Sequence, residues 1–101
     1  MIARIWHGYT KPQNADSYQN LLKTKILPGI HRIQGYKGAY LLRREAGAEI
    51  EFITMTLWES MEAVEIFAGA GHSTAVVPEE AQRLLVRYDQ KSVHYDGTWV
   101  P

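Results

Sequence analysis

The stretch Ile2–Thr10 (IARIWHGYT) carries large apolar groups on both sides of a two-residue repeat. Ala3, Ile5, His7 and Tyr9 fall on one side, and Ile2, Arg4, Trp6 and Gly8 on the other. Its β-branched and aromatic content predicts a first strand. Lys11-Pro12-Gln13-Asn14 interrupts it, and Asn14 or Asp16 can cap a helix by accepting from the free amides of the first turn. Ala15, Tyr18, Leu21, Leu22 and Ile26 then recur at helical spacing. Pro28-Gly29 is expected to break or kink that helix, with Ile30 and Ile33 continuing it for a turn. Gly35-Tyr36-Lys37-Gly38 reads as a turn into a second strand over 39–45. Ala46-Gly47 makes a short bend into a third strand over 49–58 (EIEFITMTLW), so these two should pair antiparallel. Ser60 caps a second helix whose Met61, Val64, Phe67 and Ala68 share a face, and Gly69 and Gly71 stop it. Pro78-Glu79-Glu80 reads as a short helical turn. A last strand falls within 84–100, best over 92–96, with Asp89-Gln90-Lys91 as a bend. The order is β-α-β-β-α-β, an α+β, ferredoxin-like arrangement with two helices on one face of an antiparallel sheet.

The third strand repeats the two-sided pattern, with Ile53, Met55 and Leu57 on one side and Phe52, Thr54, Thr56 and Trp58 on the other. An antiparallel sheet with one wet face should alternate more cleanly. Two helices cover only one face, and bare apolar patches of that size are rare on monomers. The pattern therefore predicts a homodimer joined through its sheet faces, two-fold in symmetry, with Trp6 as an anchor toward the partner.

At 101 residues the chain is expected to form a single domain over residues 1–101 with a modest core. Acidic and basic residues balance at 11 each, which gives no footing for nucleic acid or an anionic membrane surface. The absence of cysteine excludes disulfides, thiolate nucleophiles and cysteine zinc sites. No signal segment or long apolar run is legible, so a cytoplasmic location is the expectation. No serine triad, phosphate-cradling glycine loop or carboxylate pair is present either.

The chain resembles the antibiotic biosynthesis monooxygenase (ABM) family of dimeric α/β barrels. The likeness rests on Arg4-Ile5-Trp6-His7-Gly8, on Gly35-Tyr36-Lys37-Gly38-Ala39-Tyr40 with Leu41-Leu42-Arg43-Arg44, and on Glu51-Phe52. It extends through Thr56-Leu57-Trp58-Glu59-Ser60-Met61-Glu62-Ala63 into Phe67-Ala68-Gly69. It implies that two ferredoxin-like protomers form a barrel from their sheets, each with a pocket between helices and sheet. It implies oxygenation of a planar phenol- or quinol-like compound by O₂ without metal or flavin, or else the binding or breakdown of haem. The haem-degrading branch places an Asn on strand one, a Trp on helix two and a His after it; here those positions read His7, Phe67 and, several residues early, His72. Phenol-oxidising relatives place an Asn four residues before the strand-ending Trp; here Thr54 precedes Trp58. No cofactor is therefore expected, with haem a weaker option.

Within that frame His7 is the candidate proton acceptor, provided its side of the first strand faces the helices; a shift of one residue exchanges it with Trp6. The duller reading of His7 is a hydrogen-bonded pocket-wall residue. His72, in Gly69-Ala70-Gly71-His72-Ser73, is a candidate gate at the pocket mouth or an ordinary loop histidine. Trp58, Phe67, Tyr9, Tyr40 and Thr54 are candidate substrate-binding residues, each equally readable as packing. His7, His72 and His94 form no local metal motif, and no metal is expected. The expected partners are a second copy of the chain and a small apolar or aromatic ligand. Three readings stand: an ABM-type oxygenase, a non-catalytic small-ligand- or haem-binding dimeric barrel, and a structural dimer module without ligand.

Overall fold

A computed structural model describes residues 1–101. At the centre of its sheet lies β1 (Ile2–Thr10), which pairs antiparallel along its whole length with β3 (Glu49–Trp58), from Ile2 opposite Trp58 to Thr10 opposite Ile50. The far edge of β3 carries β2 (Tyr36–Ala46). The other edge of β1 is shared end to end by β4 (Leu85–Tyr88) and β5 (Val93–Asp96). Every pairing is antiparallel, and the order β2-β3-β1-β4 is that of the ferredoxin-like fold.

The last strand is thus two short ones, broken where Asp89-Gln90-Lys91 was expected to bend. The cause is a side chain standing in for a strand neighbour. Asp89 Oδ2 accepts from the His7 backbone N–H at 3.1 Å and contacts His7 Nδ1 at 2.8 Å.

The first helical run spans 12–30. It opens with a tight turn at Pro12–Asn14, continues as α1 (Ala15–Leu21), widens at Leu22–Ile26 and closes as α2 (Leu27–Ile30). Pro28 does not end it. The wide turn just upstream lets the ring fit without a clash against the preceding turn. Next comes α3 (Met61–Ala68), where Ser60 Oγ accepts from Ala63 N–H at 3.3 Å. Gly69 ends it at φ 81°, a conformation that suits glycine. The helical turn expected near Pro78 is α4 (Glu79–Leu84).

Ile50, Phe52, Thr54, Thr56 and Trp58 of β3 share the helix-covered face with Ile2, Arg4, Trp6, Gly8 and Thr10 of β1. Two apolar clusters form there. One joins Ala15, Tyr18 and Leu22 to Ile50, Phe52 and Ala81, with the Tyr18 and Phe52 rings edge to face at 4.8 Å. The other joins Ile2 and Trp58 to Ala63 and Val64 of α3.

This assignment corrects the expectation for Trp6 and His7. Trp6 faces the helices, its Nε1–H donating to Asp89 O at 2.7 Å, and His7 sits on the opposite side. Gly8 makes that possible, because a Cβ there would lie 3.1 Å from the Trp6 ring and 2.9 Å from a Leu85 methyl. The outer face, which no element of the chain covers, holds Ile5, Ile53, Met55 and Leu57, flanked by Tyr40, Leu42, Val93 and Tyr95. Tyr40 is 62% exposed and Tyr95 54%. No helix is long and apolar enough to cross a membrane.

Candidate functional site

Between the two clusters, the small Thr54 and Thr56 of β3 lie opposite Trp6 and Arg4 of β1. The helical run 12–30 cannot close down on them, and a cavity of about 360 Å³ remains. Such a volume lies within the range usual for small-molecule sites. Trp6, Tyr18 and Phe67 give it aromatic walls, and Leu22, Ile26, Leu27 and Val77 add aliphatic ones.

Its polar groups are few. Burial raises the Tyr18 phenol well above its ordinary pKa, against an opposing pull from the nearby Thr54 hydroxyl. That phenol therefore stays protonated at neutral pH. Thr54 Oγ1 is buried with no hydrogen-bond partner. Lys25 and Glu80 stand at the rim and pair with each other at 2.5 Å.

Arg4 is the dominant charge. It is only 5% exposed. Its Nη1 donates to His72 O and to His94 Nε2, the latter at 2.9 Å, and its Nη2 donates to Thr74 O at 3.0 Å. The guanidinium lies over the Phe67 ring at 5.6 Å. Burial pushes its pKa down from the ordinary arginine value, but an arginine keeps its charge at neutral pH. His94 is held below its ordinary value by burial, then by the charges of Arg4 and His72. The His72 and His94 rings meet edge to face at 5.5 Å, and His72 Nδ1 is buried without a partner.

The sequence-derived site residues divide. Phe67 and Thr54 line the cavity. Trp58 stands behind Phe67, stacked on it at 5.3 Å and fully buried, its Nε1–H donating to Thr56 Oγ1 at 2.8 Å. It supports the wall without forming it. His72 touches the site through its carbonyl on Arg4. The segment around it is tied down, by Ser92 N–H to Ser73 O at 2.6 Å and Ala75 N–H to Gln90 O at 3.0 Å as well as by Arg4. A freely swinging gate is not what these bonds describe.

His7, Tyr9 and Tyr40 lie on the outer face, away from the cavity. The expected placement of His7 and Tyr9 against the helices is corrected for one reason: β1 turns its Arg4 and Trp6 side inward. Tyr9 instead carries Arg87 over its ring at 3.6 Å, and its hydroxyl donates to Glu51 at 3.3 Å. No three His, Asp or Glu side chains converge at any point in the fold. Arg4, Trp6 and Tyr18 are the site residues that sequence reasoning missed. The available signal was the small, polar Thr54 and Thr56 between Phe52 and Trp58, which leaves room opposite.

No family model matches the chain, and no curated protein matches it in sequence. Solved structures do match. A candidate antibiotic biosynthesis monooxygenase from Bacillus cereus superposes with a TM-score of 0.69, at 13% identity, over 99% of this chain and 97% of that one. This chain has the ABM fold. The heme-degrader MhuD of Mycobacterium tuberculosis, solved with two hemes in its active site, matches at a TM-score of 0.63 and 19% identity over 100% and 99% of the two chains. A Streptomyces coelicolor monooxygenase in complex with nanaomycin D matches at 0.64 and 17%, over 99% and 91%. Two of these solved structures thus hold a bound small molecule, heme in one and nanaomycin D in the other.

The residues here do not suit haem. No histidine, cysteine or methionine lines the cavity, and its one phenol is held protonated.

Proposed function

We propose that this chain is a small ABM-type monooxygenase that oxidises a planar phenol- or quinol-like compound with O₂, without cofactor, and that it works as a homodimer. The observation that carries the reading is the cavity of about 360 Å³ walled by Trp6, Tyr18 and Phe67. An apolar, flat-walled site orients one ring and limits the access of water to a reactive intermediate. The substrate supplies all the electrons. It loses its hydroxyl proton and one ring hydrogen, one oxygen atom becomes the new carbonyl, and the other leaves as water. Dimerisation through the outer sheet face covers Ile5, Ile53, Met55 and Leu57 and closes two sheets into a barrel.

A second reading, a ligand-binding barrel without turnover, is favoured by one feature: no histidine lines the cavity itself. The two separate in one experiment. Purified protein is mixed with two- and three-ring phenols, 1-naphthol the simplest, under ¹⁸O₂ with no added metal or flavin. The oxygenase predicts O₂ uptake above the protein-free rate and one labelled atom in a quinone product. Uptake at the blank rate, with phenol still bound in titration, overturns turnover and leaves the binding barrel.

A further inference from the structure

We propose that the ligand of this cavity carries a carboxylate, and that Arg4 is the group that recognises it. The inference rests on reading the cavity as a small-molecule site and specifies what that site selects.

A guanidinium taken out of water needs compensation, and the usual compensation is a carboxylate. Arg4 has none. Asp16, Glu49, Glu51, Glu79 and Glu80 are each paired with another arginine or with Lys25, Asp89 is held by His7, and none reaches Arg4. Its three protein partners are two backbone carbonyls and a histidine held in its neutral form. A guanidinium has five N–H donors. Three are engaged here, and Nε–H and one hydrogen of Nη2 have no protein acceptor. Nε and Nη2 stand on one edge of the group, the edge from which a guanidinium grips a carboxylate by two parallel hydrogen bonds.

The surroundings fit the same ligand. Arg4 lines the cavity beside the Phe67 ring, and Trp6 lies two residues along the same face of β1. A flat acid would lay its rings against these aromatics while its carboxylate meets Arg4. Thr54 Oγ1 lies on the same wall, beside the Tyr18 phenol, and offers a second polar atom there. The rim cation, Lys25, is not an alternative anchor, since it is exposed and already paired with Glu80.

The test compares 2-naphthoate with the neutral, nearly isosteric 2-naphthamide by calorimetric titration at neutral pH. Wild type should bind naphthoate at least tenfold more tightly, which corresponds to about 1.4 kcal/mol. Arg4→Met should erase that preference while keeping naphthamide binding. Lys25→Met should keep the preference. In wild type, naphthoate but not naphthamide should shift the Nε resonance of Arg4 in NMR spectra. Arg4→Met loses its ties to His72 and Thr74, so its fold is checked by circular dichroism; the wild-type comparison decides the matter even if that variant fails to fold. Equal affinity of the two probes overturns the carboxylate proposal and leaves the small-molecule site standing. Binding of neither overturns both. A preference that survives in folded Arg4→Met overturns the role of Arg4.

Discussion

Arg4 Nη1 donates to Nε2 of His94 across 2.9 Å, so a buried cation rests against a ring that must stay neutral to accept it. Burial first, then the charges of Arg4 and His72, lowers the pKa of His94 below its ordinary value of 6.5. An unfolded chain takes up a proton at that ordinary value, while the folded chain waits for lower pH. The unfolded state binds more protons in that window, so stability falls as pH drops through 6.5 and levels off once folded His94 is itself protonated. Urea midpoints measured from about pH 8 to pH 5 should decline in wild type. They should decline less in His94→Gln, which keeps an acceptor for Arg4 but cannot titrate. Parallel curves would remove His94 as the source.

His7 is the ionisable residue that the sequence brings forward most, and it lies outside the cavity. His7→Ala should leave naphthamide and naphthoate affinities within about twofold of wild type. It should cost under about 1 kcal/mol in stability, because its contact with Asp89 is more than a third exposed. A tenfold loss of affinity would mean that the outer face takes part in the site.

Gly8 controls how far Trp6 can lie down on β1. A Cβ at residue 8 would press on both the Trp6 ring and Leu85. Gly8→Ala should therefore cost about 1–3 kcal/mol from overpacking. It should also push Trp6 into the cavity and weaken ligand binding, which titration would show. Unchanged affinity would mean that Trp6 is not a wall of the working site.

These faces explain why some of the molecule was legible in the sequence and some was not. The spans of β1, β3 and α3 followed from period, caps and turns, which are local. The choice of inner face did not. Hydrophobicity favours Ile5 over Arg4, and Ile53, Met55 and Leu57 over Thr54 and Thr56, yet the more polar side faces the helices. The usual alternation is inverted over this stretch, as the proposed ligand cavity, with polar atoms and free volume inside, and the proposed dimer interface, with apolar groups outside, would require. Phe67 and Thr54 were found through family likeness. Arg4 was missed because a charged residue in a strand reads as a solvated one.

The inverted pattern gives the association prediction. Sedimentation of wild type should report twice the 11.5 kDa protomer mass at micromolar concentration. Met55→Glu and Leu42→Glu, each placing a charge on the outer face, should shift it to the protomer mass with the fold retained by circular dichroism. Wild type sedimenting as a protomer would contradict the barrel.

The central claim is that a flat molecule binds between the helical run 12–30 and the inner sheet face. A crystal structure of the protein soaked with 2-naphthoate or 1-naphthol tests it most directly. The account predicts ring density between Trp6, Tyr18 and Phe67, with the acid group on Arg4 in the naphthoate form. Rings bound on the outer face near His7 and Tyr40, with the inner cavity filled only by water, would contradict it.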